Sequence, residues 1–271
     1  MSVFEAIVLG LVQGLTEFLP ISSSGHLRIV PAFFGWEDPG AAFTAVIQLG
    51  TMAAVLLYFR RDLWNIGRAW LRELRLPFKR RSHDANLGWF IILGTVPICV
   101  FGFVFSDQIE EGARSLYLIG SMLIAFSFVM LVADRIGTRD RPIADITARD
   151  GIFIGFAQAL ALIPGVSRSG ATISAGLLRG FDRAAAARYS FLLSVPAVVI
   201  SGLFEARHIG GEGSVGVVPT VVATILAFVS GYAAIAWLLR YLATNTLTIF
   251  IAYRIPLGIA VLVLAATGAI S

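Results

Sequence analysis

Runs of apolar residues long enough to cross a hydrocarbon core of about 30 Å, which takes about 20 residues each, recur at positions 41–59, 87–105, 116–133, 184–204, 217–239 and 247–269. A soluble domain has no use for such a series, so the chain reads as an all-α polytopic membrane protein with six transmembrane helices. Composition agrees: 57% of residues are hydrophobic and 14% charged, against roughly 25% charged in an average soluble domain, and the mean hydropathy is +0.83. The formal net charge of +4 comes from arginines gathered between the runs, which argues against a nucleic-acid partner and for a topological use, while the runs themselves make membrane lipids the expected partner. The single cysteine, Cys99, lies inside a run, so no intrachain disulfide can form. No basic residue precedes Arg28 and no cleavage-like pattern precedes Pro20, so the first apolar segment is expected to stay in the mature protein.

Arginine and lysine set the orientation. Arg60, Arg61, Arg68, Arg72, Arg75, Lys79, Arg80 and Arg81 crowd one connection, and Arg135, Arg139, Arg141 and Arg149 another; by the positive-inside rule both face the cytoplasm. Loops 107–114, with Glu110 and Glu111, and 205–216 then fall outside, as does the C-terminus. The stretch 63–76 is amphipathic, with Trp64 and Trp70, and reads either as an interfacial helix on the cytoplasmic face or as a solvated loop. His83 and His208 are placed in solvated loops. Arg254, within the last run, is expected to snorkel towards the cytoplasmic end.

Two further apolar stretches are too short to cross: 3–19, halted by Pro20, and 152–163, halted by Pro164. Each leads through a Ser/Gly-rich turn into a second short apolar segment, so 3–34 and 152–178 are expected to be re-entrant helical hairpins, whose broken backbone is tolerated only inside protein or beside a water-filled cavity. Offsetting the chain on itself by 145 residues aligns LGLVQGLTEFLPISSSG, starting at Leu9, with IGFAQALALIPGVSRSG, starting at Ile154. Gln13 then falls on Gln158, Ser22 on Ser167, Ser24 on Ser169 and Gly25 on Gly170. An odd number of spans separates the copies, so the chain reads as an inverted-topology repeat: residues 1–133, a cytoplasmic linker 134–150, and residues 151–271. Paired interrupted segments in inverted repeats point to a binding site near the bilayer midplane.

The chemistry concentrates in the two turns. Gln13 and Glu17 share one face of the first short helix. Glu17 lies in its last turn, where the dipole disfavours a negative charge, so it must be protonated, paired with a cation such as Arg28 or Arg168, or bound to metal. Ser22, Ser23, Ser24, Gly25 and His26 follow Pro20. One serine serves as an N-cap, and His26 falls in the first turn of the next helix. In the second copy, PGVSRSGAT (from Pro164) puts Arg168 where the first has Ser23 and Leu162 where it has Glu17. A turn containing Gly165 and feeding a helix N-terminus, with Ser167, Ser169 and Thr172 as hydroxyl donors, suits an anion, and the Arg168 fork suits phosphate oxygens. If the turns meet, the cavity suits two linked phosphates. Anion grip plus acid, base or nucleophile is what phosphoryl transfer requires.

QGLTEFLPISSSGH (from Gln13) and PGVSRSGAT together resemble the two signatures of the bacterial undecaprenyl-diphosphate phosphatases, also called bacitracin-resistance proteins, and the resemblance runs over almost the whole chain. It implies a hydrolase in the bacterial cytoplasmic (inner) membrane that converts undecaprenyl diphosphate to undecaprenyl phosphate, the recycled cell-wall lipid carrier, from a site opening to the outer, periplasmic side. It also implies Gln13 and Glu17 as the metal- or water-handling pair, with Gln13 the neutral option that puts a two-carboxylate metal site in doubt; a divalent cation, Mg²⁺ or Ca²⁺, would bridge Glu17 and the diphosphate. Ser22, Ser23 and His26 correspond to the first-loop residues, and Ser167, Arg168 and Thr172 to the diphosphate-binding set. The nucleophile is open at this point: Ser23 with His26 as base, His26 itself, or a water activated through Glu17. A second class of lipid phosphatases is excluded because position 174, seven after Ser167, is serine and not histidine. A flippase or transporter of polyprenyl phosphate is the rival reading, since it needs the grip alone. A homodimer is the one protein assembly the sequence leaves open.

Overall fold

The structure, a computed structural model, describes residues 1–106, 108–109, 115–205 and 216–270. Glu110, Glu111 and His208, and with them most of the two loops assigned to the outer side, lie outside the described residues. In chain order the helices are α1 (Val3–Phe18), α2 (Ser23–Phe34), α3 (Gly40–Tyr58), α4 (Arg60–Glu73), α5 (His83–Val104), α6 (Leu116–Ile136), α7 (Ala148–Ala159), α8 (Arg168–Leu178), α9 (Arg183–Glu205), α10 (Val217–Leu242) and α11 (Thr248–Ala266). Among the described residues the only β contact is an isolated bridge between Arg141 and Phe181. Among the described residues five helices are long and apolar enough to cross a membrane, or six if α3 and α4, which meet at a 74° bend, count as one span. Every apolar run read from the sequence is a helix, and the chain is a multi-span membrane protein.

The two short hairpins are helix–turn–helix units. α1 starts on a capping box in which the Ser2 side chain accepts from the Glu5 amide, and it ends at Phe18, with Leu19 extended in the conformation that the residue before a proline favours. α2 and α8, at about 1.5 Å per residue, are far too short to span. Their N-caps are the equivalent serines, Ser22 and Ser167, both at φ 75°, with each hydroxyl accepting from the glycine amide three residues on, Gly25 and Gly170. A serine at positive φ is strained, and the same strain recurs 145 residues apart.

The first helix of each unit is buried by close backbone approach. α1 packs mainly on α10 and α7 mainly on α5. A Cβ at Gly10 would lie 2.4 Å from the Ala223 carbonyl oxygen, and one at Gly155 would lie 2.4 Å from that of Gly94. Small residues at such crossings are what membrane helices use to associate.

Of the two readings of the stretch 63–76, helix or loop, the structure takes the helix: residues 60–73 form α4, whose Trp70 packs over Gly88 of α5 and whose Asp62 pairs with Arg188 of α9. One expectation needs correction. His83 is the first residue of α5, capped by Ser82, although it stays exposed. Within the stretch 134–150, side-chain bonds tie neighbouring elements together. Arg141 donates to the Asp150 carboxylate, to the Arg179 carbonyl at 2.6 Å and to the Asp145 carbonyl at 2.8 Å, and Arg179 binds Asp150 from the far end of α8 at 2.6 Å. Burial pushes the Asp150 carboxyl up, but the hydrogen bonds from Arg141, Thr147 and Arg179 outweigh it and hold the group at about 2. The same bond raises Arg141 above its ordinary value. Base of α7 and end of α8 are thereby clamped together, which fixes the mouth of the second hairpin.

Candidate active site

The two turns meet. Ser169 Oγ, in the first turn of α8, donates to the Leu19 carbonyl at 3.0 Å, and Arg168 forms an ion pair with Glu17. Between the turns lies a cavity of about 170 Å³ lined by Gln13, Glu17, Ser22, Ser23, Ser167 and Arg168, with Thr44 and Gln48 of α3 on its wall. That volume holds several waters or a phosphate group. In the first turns of α2 and α8 the amides of Gly25 and Gly170 go to the N-cap serines and those before them have no intrahelical acceptor, so two positive helix ends serve one cavity.

Glu17 is its centre. Only 9% exposed, the carboxylate accepts from Arg168 on Oε1 and, on Oε2, from Ser23 Oγ at 2.6 Å and Gln13 Nε2 at 3.2 Å. Three donors thus converge on one buried carboxyl group. Of the options open to Glu17 in the sequence, the structure takes pairing with Arg168; Arg28 instead pairs with Asp38 at 3.5 Å. Gln13, by giving its amide nitrogen to Glu17, leaves its buried Oε1 with no hydrogen-bond partner.

His26 is elsewhere. Its Nδ1 lies 2.7 Å from the Ser22 carbonyl and its Nε2 2.8 Å from the Tyr253 hydroxyl. A carbonyl can only accept, so Nδ1 carries the proton and Nε2 accepts from tyrosine. Both ring nitrogens are committed and neither meets Ser23, which binds Glu17. The Ser23–His26 dyad is absent from this arrangement. Thr172 also turns away from the cavity: its hydroxyl donates to the Arg168 carbonyl at 2.8 Å and contacts Ser190 of α9. Ser169 is spent on Leu19. Gly165, at φ 92°, serves the backbone: a Cβ there would lie 2.6 Å from the Ile119 carbonyl oxygen.

Arg254 overturns its expectation altogether. It does not snorkel; it is fully buried and donates to Ser127 Oγ and to the carbonyls of Pro20, Met122 and Gly165. The signal for it was present, because it is the only charged residue in its apolar run and intramembrane ionisable residues are functional candidates by default.

The family described as bacitracin resistance protein BacA matches residues 6–260. The chain belongs to this family. An undecaprenyl-diphosphatase of a Nocardioides species is 60% identical to it, over 98% of both chains. One from Thermobifida fusca is 54% identical over 100% of this chain and 93% of its own, and undecaprenyl-diphosphatase 2 of Streptomyces avermitilis 53% over 100% and 97%. The resemblance read from the two motifs is thus borne out along the whole length.

For a BacA-family chain the question of a divalent cation is one of donor chemistry. Among the described residues no three His, Cys, Asp or Glu side chains come together, so the protein alone offers no cage. What the cavity does offer is hard oxygen: the Glu17 carboxylate and the unpartnered Gln13 Oε1. These fit Mg²⁺ or Ca²⁺ if substrate oxygens and water complete the shell.

Proposed function

We propose that the chain hydrolyses undecaprenyl diphosphate to undecaprenyl phosphate and inorganic phosphate, with Ser23 as nucleophile and Glu17 as its base. The observation that carries this is the 2.6 Å hydrogen bond from Ser23 Oγ to the Glu17 carboxylate, inside a cavity that also holds Arg168 and two helix N-termini. A general base must lie within about 2.6–3.2 Å of the proton it takes, and Glu17 holds that position to Ser23 while both nitrogens of His26 are engaged elsewhere.

Chemically, Ser23 Oγ attacks the terminal phosphorus while its proton passes to Glu17. The anhydride P–O bond breaks and its electron pair leaves on the bridging oxygen of the lipid monophosphate. Water then attacks the phosphoserine. Ser23 Oγ departs and recovers its proton from Glu17, and inorganic phosphate carries away both water protons. Arg168, the Ser167 turn and the first-turn amides of α2 and α8 hold the phosphoryl oxygens throughout, which supplies positioning and charge stabilisation. Glu17 and Gln13 Oε1 would hold a divalent cation, whose contribution is to neutralise the diphosphate. His26 shapes the turn rather than accepting the proton.

A lipid substrate is supported by what adjoins the cavity. Ala161 lines it, and its neighbours Leu160 and Leu162 line an apolar groove of about 660 Å³ bounded by Phe101 of α5, Phe105 just past its end and Phe156 of α7. That groove suits the polyprenyl tail. The arginine distribution favours the cytoplasmic membrane with the cavity served from its outer side, and the 145-residue offset favours two inverted halves that each contribute one turn. A homodimer is not needed to complete the cavity. A flippase would use the same grip but leaves the Ser23–Glu17 contact without a role, and relatives named diphosphatases give it no support.

The test is inorganic phosphate release from a polyprenyl diphosphate by the detergent-purified chain, with and without Mg²⁺ or Ca²⁺. Turnover that disappears in Glu17→Ala and Arg168→Ala supports the assignment. Lipid binding without phosphate release would overturn it.

A further inference from the structure

The two turns carry all of the chemistry proposed above, yet neither turn is self-supporting. Backbone that leaves the helix at membrane depth must find hydrogen-bond partners in protein, and two serines at φ 75° hold their conformation only where the surroundings impose it. The partners come from α11, the last helix, which lies far from either motif in sequence.

Arg254 provides the first part. Its Nη1 donates to the Pro20 carbonyl at 3.2 Å and its Nη2 to the Gly165 carbonyl at 2.9 Å. Pro20 and Gly165 each stand two residues before an N-cap serine, and they are equivalent under the 145-residue offset. One guanidinium therefore bridges the same carbonyl of both turns. Nε to Ser127 Oγ at 3.1 Å and Nη2 to the Met122 carbonyl at 3.4 Å tie the same fork to α6. Only a planar group with several fixed donors can bridge two backbones in this way; a lysine ammonium is a point charge on a flexible stem. Among the described residues no carboxylate forms an ion pair with Arg254, so its donors go to carbonyls and a hydroxyl.

Tyr253 provides the second. Its hydroxyl donates to His26 Nε2 at 2.8 Å, its ring stacks on the imidazole with centroids 5.6 Å apart, and His26 Nδ1 donates to the Ser22 carbonyl at 2.7 Å. The chain Tyr253–His26–Ser22 ends one residue before the nucleophile. The Ser22 carbonyl also accepts the His26 amide at 3.1 Å, so the ring bond is its second restraint, and losing it loosens the turn that aims Ser23 at Glu17.

Building on the hydrolytic reading of the site, we propose that Tyr253 and Arg254 are positioning residues for it: Arg254 locks the two turns to each other, and Tyr253, acting through His26, fixes the rotation of the first. Neither touches the reacting atoms, so their loss slows the chemical step and leaves the capture of diphosphate by Arg168 largely intact.

The experiment is steady-state phosphate release by the full-length chain in detergent for wild type, Tyr253→Phe, Arg254→Lys, His26→Asn and the Tyr253→Phe/His26→Asn double variant, with thermal unfolding in the same detergent. Tyr253→Phe removes one hydroxyl from a ring that is 46% exposed, so it will fold. It is expected to lower kcat about 10-fold with KM within about 3-fold, the signature of an interaction made only in the transition state. Arg254→Lys is expected to lower kcat about 100-fold, also without a matching rise in KM. Because Tyr253 works through His26, the double variant is expected to be no slower than His26→Asn alone. Wild-type kcat in Tyr253→Phe overturns the proposal, as does a rise in KM at constant kcat, or losses that multiply in the double variant. If wild type itself releases no phosphate, the hydrolytic reading falls and this inference with it; if wild type turns over and the variants match it, this inference falls alone.

Discussion

Replacing Ser23 with alanine separates the serine mechanism from direct attack by water, because the structure assigns very different sizes to its effects on folding and on rate. The side chain makes one hydrogen bond of consequence, to Glu17 Oε2 at 2.6 Å. A hydrogen bond to a charged group contributes about 1.5–3 kcal/mol, but Ser23 faces the cavity and water can take its place, so about 1 kcal/mol or less should be lost. For a chain of this size that lowers Tm by about 2–4 °C. The rate effect is of another order. Without Oγ there is no phosphoserine route, and removal of a catalytic nucleophile typically costs on the order of 10⁴-fold or more, about 5.4 kcal/mol at about 1.36 kcal/mol per decade. Glu17→Gln, which keeps the shape and removes the base, should cost about 10²–10⁴-fold. The assay pairs phosphate release with acid quenching of a reaction using substrate labelled in the terminal phosphate, and the protein-bound label should be present in wild type and absent from Ser23→Ala. If Ser23→Ala keeps more than a tenth of wild-type kcat with unchanged Tm, Glu17 activates water directly and the serine mechanism is refuted.

Other expected outcomes follow from the same geometry. Arg168→Lys keeps the charge but loses the fork, so phosphate release should fall about 100-fold with a raised KM. Gly10→Ala drives a Cβ to 2.4 Å from the Ala223 carbonyl oxygen and should destabilise by about 1–3 kcal/mol in thermal unfolding, whereas Gly67→Ala, on α4 with nothing within 4 Å, should be neutral or stabilising through helix propensity. Asp150 is held at about 2 in the folded chain, below its ordinary value of about 3.9. Its contribution is therefore complete above pH ~4 and disappears as pH falls through about 2, so unfolding followed from pH 5 to 2 should show a steeper loss in wild type than in Asp150→Asn. Ala157→Trp fills the apolar groove and should raise KM for a long-chain diphosphate more than for a short-chain one; equal effects on both would remove the tail from the groove.

What the sequence discloses follows from how local each cause is. The spans are legible because twenty apolar residues in a row leave no other structure, and the hairpins because Pro20 and Pro164 interrupt helices in front of serines. α4 is ambiguous from sequence since its stability depends on Trp70 meeting Gly88 of α5. Within the site, the residues that meet across the turns, Glu17 with Ser23 and Arg168, belong to the two motifs and could be nominated. Which hydroxyls are free could not: Ser169 is taken by Leu19 and Thr172 by the Arg168 carbonyl, and both partners are backbone atoms that carry no residue signature. His26 reads as a base until the Ser22 carbonyl and Tyr253 are seen to occupy its two nitrogens.

The correspondence between the turns explains why the site has its particular chemistry. Each copy supplies the same scaffold: a serine N-cap at φ 75°, a helix N-terminus, a buried glutamine whose Oε1 has no partner (Gln13, Gln158) and a carbonyl bonded by Arg254. Two identical turns would bring either two carboxylates or two guanidiniums into one small cavity, and like charges at that range repel strongly. The offset pairs instead set Glu17 against Leu162 and Ser23 against Arg168, so one turn carries base and nucleophile and the other the cation that neutralises them. Exchanging the pair, Ser23→Arg with Arg168→Ser, keeps composition and scaffold but removes the nucleophile from the base. The double variant should keep its helix content yet release no phosphate, and activity in it would show that the cavity works as a charge-matched container rather than through the contact between Ser23 and Glu17.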